Sequence, residues 1–189
     1  MMITEDQIET ALKVLSPIAS GLFLQWLKRR SEEEGSDLLA EIGKITTEMK
    51  LVVKNTPAER FLIFRSQNQK NRTASVILEE YRKLIKSVYS EYQGLTLDAD
   101  YLAMLERILE GETVKVFTKE LPENALLKRI YEAENIECAI VFELHKTKKY
   151  LYYASIASTQ SDPLAEKISR NEIGIAKDKI SKVFQKYAP

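Results

Sequence analysis

Apolar residues along this chain recur in two rhythms, one near 3.6 residues and one near 2, and the switches between them mark out its elements. Ile8, Leu12, Leu15, Ile18, Ala19, Leu22 and Trp26 fall on one side of a helix predicted over 5–30. Thr4, followed three residues later by Gln7, makes a capping box at its start. Pro17 removes a backbone donor and kinks or divides the helix. The polar stretch Ser31-Glu32-Glu33-Glu34-Gly35-Ser36 then breaks the pattern. It separates a helical extension, 1–35, from a domain, 36–189. That domain opens on a helix, 37–55, in which Leu38, Ile42, Ile45, Met49 and Val52 are spaced 4, 3, 4, 3. This is the spacing of a packed helical seam, and Thr56-Pro57 ends it.

Strand-like patterns follow. Arg60-Phe61-Leu62-Ile63-Phe64-Arg65 is continuously apolar between its charged ends, as in a strand covered on both faces. Residues 66–72 form a polar loop. Over 73–81, Ala74, Val76 and Leu78 alternate with Ser75, Ile77 and Glu79. Residues 83–92 fit either a helix, through Leu84, Val88 and Tyr92, or a short edge strand at Ser87-Val88-Tyr89. A helix over 98–109 carries Tyr101, Leu102, Leu105 and Ile108, with Gly111 after its end. A strand over 113–117, a helix over 123–134 and a hairpin of strands 136–145 and 149–157 come next. The hairpin turn, Lys146-Thr147-Lys148, lacks the usual Asn-Gly pair. Asp162-Pro163 starts a last helix, 163–187, with Ile173, Ala176, Ile180, Val183 and Tyr187 spaced 3, 4, 3, 4. Strands and helices in this mixture predict an α+β domain.

Charge and composition narrow the chemistry. Among the 189 residues, 28 Lys+Arg balance 28 Asp+Glu, so the chain lacks the basic excess that nucleic-acid binding requires. A single cysteine, Cys138, excludes an internal disulfide and a cysteine-based zinc cluster. Placed within a predicted strand, it is expected to be a small buried hydrophobe. The longest stretch without charge, residues 14–27, is shorter than the ~20 residues that span a bilayer. The acidic start, Glu5, Asp6 and Glu9, does not fit a signal peptide, so a cytoplasmic protein is expected. Trp26 beside Lys28-Arg29-Arg30 leaves two uses for residues 14–30: burial against protein, or contact with a membrane surface.

Catalytic constellations are scarce. His145, the one histidine, has Glu143 two residues back on the same predicted strand face, but no nucleophile accompanies them. None of the six glycines forms a phosphate-binding G-x-G or G-K-[ST] pattern. The carboxylates of Glu79-Glu80 and Asp98/Asp100 lack the partners of a metal site and are expected on a solvated surface. No catalytic residue, metal or cofactor is expected. The amide-rich loop Ser66-Gln67-Asn68-Gln69-Lys70-Asn71-Arg72 fits an ordinary solvated connection or the mouth of a pocket.

The order of elements, the 60–65 strand entered from a long helix, and the 138–155 hairpin leading into the last helix together resemble a GAF-type sensor domain. That resemblance implies a central antiparallel sheet with the terminal helices on one face and a small ligand enclosed on the other. It implies a homodimer through helices 37–55 and 163–187. The Asn-Lys-Phe-Asp-Glu set of cyclic-nucleotide-binding members is not found here, and a lone cysteine excludes reduction of methionine sulfoxide. In such a fold the middle of the chain caps the ligand face. Arg65, Asn68, Tyr81, Tyr92 and Tyr152 are then the expected pocket lining. The sequence thus supports a non-enzymatic sensory domain; the alternative is a structural or membrane-surface scaffold whose pocket is filled by side chains.

Overall fold

Residues 37–67, 72–160 and 170–187 are described by the computed structural model of the chain. The extension over 1–35, with its membrane-surface candidate 14–30, lies outside the described residues, as do Asn68 and the start of the last helix. Helix α1 spans Asp37–Asn55, and its 4-3-4-3 stripe buries Ile42, Ile45, Met49 and Val52, with Val53. Thr56 closes it by donating its hydroxyl to the Val52 carbonyl and accepting from the Ala58 N–H. The chain then enters strand β1, Arg60–Gln67, and returns in β2, Thr73–Tyr81.

Three further strands complete the sheet on β1's other side: β4, Val114–Phe117, β5, Cys138–Lys146, and β6, Tyr150–Ser158. A two-residue strand, β3, Leu95–Thr96, is added beyond β2. The order is β3-β2-β1-β6-β5-β4, antiparallel throughout. At the β5–β6 turn Thr147 replaces the expected Asn-Gly chemistry: its N–H donates to the Tyr150 carbonyl and its hydroxyl accepts from the Tyr150 N–H.

Both faces of the sheet are buried, which is why β1 reads as an unbroken apolar run. Phe61 and Ile63 enter a core formed with α1 and the last helix, α4, Arg170–Tyr187. Cys138 is buried in that core. Leu62 and Phe64 enter a second, distal core, covered by helices α2, Ala99–Leu109, and α3, Leu126–Ala133, and by the irregular segment 82–94. In α4 the buried stripe is Ala176, Ile180 and Phe184. Val183, placed on the seam from the sequence, is only partly buried beside it.

Two register shifts alter what alternation alone predicts. In β2, Ile63 pairs with Leu78 and Phe64 with Val76, so Ile77 is the extra residue. Ile77 and Leu78 therefore both enter the helix-side core. Glu79 comes to lie opposite Leu62 and is buried with the distal face, not on a solvated surface. In β5 the shift falls between Glu143 and His145. Glu143 is opposite Tyr153 and His145 opposite Tyr152, so the two do not share one face as simple alternation requires. Residues 83–92 are neither helix nor strand.

Candidate functional site

On the distal face the sheet, α2, α3 and segment 82–94 enclose a cavity of about 20 Å³, room for about one water molecule. Four tyrosines, Tyr92, Tyr101, Tyr131 and Tyr153, stand in its wall among mainly apolar residues. The local causes are plain. Tyr101 lies with Met104, Leu105 and Ile108 on the inner stripe of α2, and Tyr131 lies one turn after Leu127 on α3. Tyr153 points away from the helix-side core that takes its neighbour Tyr152. Asp98 fixes both helices. One carboxylate oxygen caps α2 by accepting from the Tyr101 N–H, and the other accepts from the Leu126 N–H at the start of α3.

Phe64 lies between two of the tyrosines, 5.0 Å from the Tyr153 ring and 6.4 Å from that of Tyr92, stacked on both. The Tyr101 and Tyr153 hydroxyls are 2.8 Å apart. Only 7% exposed, Tyr92 buries a hydroxyl that has no hydrogen-bond partner. Burial pushes the Tyr101 phenol up to about 12. It also raises Tyr131, Tyr153 and Tyr92, the last pushed further by the Glu134 carboxylate.

A buried ionic clasp holds the cover. Arg60, 4% exposed, donates to Glu134 after α3 at 2.9 Å and to the Lys86 carbonyl at 2.7 Å. Its Nε lies 3.6 Å from Glu79, which in turn accepts from the Ser87 hydroxyl and the Val88 N–H. Segment 82–94 is thus held by long-range polar contacts, with Val88 and Tyr92 as its apolar anchors.

The five residues expected to line one pocket are not together. Tyr92 lines the distal cavity. Arg65 and Tyr152 are on the helix side, where the Arg65 guanidinium sits 4.9 Å over the Tyr150 ring and Tyr152 packs 5.0 Å from Phe184. Tyr81, opposite Arg60 at the end of β2, is half-buried. Asn68 lies outside the described residues. Tyr101, Tyr131 and Tyr153 line the cavity but lie outside the expected set, although the spacing of α2 and the alternation of β6 carry the signal. His145 is stacked on Tyr152 at 6.4 Å; burial lowers its pKa and Glu143 partly offsets this. Among the described residues no three His, Cys, Asp or Glu side chains are placed to hold a metal ion. Nor is any helix among them long and apolar enough to cross a membrane.

No protein-family model and no curated protein sequence matches the chain. Solved structures do. The third GAF domain of Slr1393 from Synechocystis, in its photoproduct state, aligns with 76% of this chain and 90% of its own, at a TM-score of 0.55 and 12% identity. The GAF domain of a two-component sensor histidine kinase from Bacillus halodurans gives 78% and 91%, with TM-score 0.54 and 12% identity. A GAF/HD domain protein from Geobacter sulfurreducens gives 77% and 94%, at 0.53 and 14%. The chain has a GAF-type α+β fold.

Proposed function

We propose that this GAF-type chain is a non-enzymatic sensory or regulatory module, taking a small ligand on the distal face and relaying its presence to α1 and α4. The observation that carries the reading is the unpartnered hydroxyl of Tyr92, a residue that lines the small distal cavity, since a buried polar group without a partner marks a place where something else supplies one. A relay is available in the sheet. Leu62 and Ile63 are consecutive in β1 yet belong to opposite cores, so a shift forced on one face moves the packing of the other. A ligand larger than water requires segment 82–94 to move, and the Arg60 clasp sets the cost of that motion.

The small volume favours a second reading, a scaffold whose distal face is filled by its own tyrosines. One experiment separates the two. Native mass spectrometry of the freshly purified full chain is expected to show one small-molecule adduct per chain, absent from Tyr92→Trp, whose larger ring occupies the cavity. A wild-type chain of bare mass, unstabilised by any compound in a metabolite thermal-shift screen, would leave the scaffold reading standing.

A further inference from the structure

A much larger open feature than the distal cavity lies on the helix side. Between α1 and α4 runs a groove of about 440 Å³ with Ile45, Ile180 and Val183 along it. Leu51 on α1 and Ile175 on α4, 43% and 46% exposed, extend apolar surface over the same two helices. An open groove with apolar walls marks a surface that a partner can cover. The groove's charged lining is net basic: Lys44, Lys179, Lys182 and Lys186 against Glu41 and Glu48.

We propose that residues 8–26 of this same chain cover that groove, docking in cis along the outer side of α1 and α4. Three properties fit them to it. Their stripe of Ile8, Leu12, Leu15, Ile18, Leu22 and Trp26 supplies an apolar face with no assigned partner. Within residues 8–26 only Glu9 and Lys13 are charged, so the segment brings no net positive charge against the basic groove, while Glu5 and Asp6 precede it and Glu32-Glu33-Glu34 lie in its tether. The tether is short: residues 31–36 extend at most ~20 Å, while Ile45 lies eight residues into the domain from Asp37, ~12 Å along a helix. Such a tether holds the segment beside the groove at millimolar effective concentration, which a second molecule does not match at ordinary dilution.

Trp26 is the chain's only tryptophan and reports on the docking. In the full chain its acrylamide quenching constant is expected to be roughly threefold or more below that of free N-acetyltryptophanamide, as burial of an apolar ring demands. The double variant Leu51→Glu/Ile175→Glu changes only exposed positions. It is expected to restore free-like quenching while far-UV circular dichroism stays unchanged. A Trp26 that is open in the wild type, or still shielded in the double variant, overturns the proposal. Shielding confined to samples that native mass spectrometry shows as dimers overturns it in favour of a second copy. Shielding that requires phosphatidylserine vesicles overturns it in favour of a membrane surface.

Discussion

The Tyr101 and Tyr153 hydroxyls satisfy each other in a site that offers little else, 2.8 Å apart and both buried. Tyr153→Phe leaves the Tyr101 hydroxyl without that partner and is expected to cost ~1–3 kcal/mol in urea unfolding. The double change Tyr101→Phe/Tyr153→Phe removes both partners and is expected to cost less than the two single losses added together. Independent losses would mean that the pair does not interact in solution. Alkali probes the same site. An unfolded tyrosine loses its proton near the ordinary value of 10.0, and Tyr101 only near 12. Between these values the unfolded chain holds fewer protons, so this contribution to stability, complete below pH 10, declines as pH rises towards 12. Tyrosinate absorbance followed to pH 11 is expected to leave Tyr101, Tyr131 and Tyr153 unionised until the chain unfolds. Smooth titration of all nine tyrosines with the fold intact would contradict this burial.

Asp98 illustrates how one side chain organises several elements. It caps α2 and also accepts from the first N–H of α3, so Asp98→Ala removes two contacts and is expected to cost ~1–3 kcal/mol. Thermal unfolding would check it; a loss no larger than that at an exposed α2 position such as Ala103→Ser would count against the shared cap. The helix over 98–109 was legible in the sequence, as were α1, the chain positions of the larger strands and most of the terminal seam, because each rests on local periodicity. Asp98 reads there as a solvated carboxylate, and its double cap was not legible. Nor were the register shifts. Val76-Ile77-Leu78 is apolar at every position, so nothing local says which residue is extra. That shift carries Glu79 onto the distal face, where it meets Arg60 and holds segment 82–94. A segment held by contacts to Glu79 and Arg60, many residues away, has no period of its own to read. Tyr92 was recognised and its companions were not, since choosing Tyr152 over Tyr153 depends on which face the last helix covers.

At the scale of the molecule, the two cores share β1, β2, β5 and β6, and the proposed relay stands or falls with that sharing. Leu62 and Ile63 test it directly, because they are neighbours in β1 that face opposite cores. Leu62→Ala and Ile63→Ala are each expected to cost ~2–5 kcal/mol. Both should shift a single unfolding transition and leave its urea dependence unchanged, as expected where the surface exposed on unfolding is the same. Hydrogen exchange then locates the effect. If the faces are coupled, Leu62→Ala, made on the distal side, accelerates exchange not only in α2 and α3 but also at the Ala176, Ile180 and Phe184 amides of α4. None of these three residues belongs to the distal core. Acceleration confined to α2, α3 and segment 82–94, or a second unfolding transition, would show that the faces open separately. A distal ligand would then have no route to the helices, and a filled scaffold would be the better account of this fold.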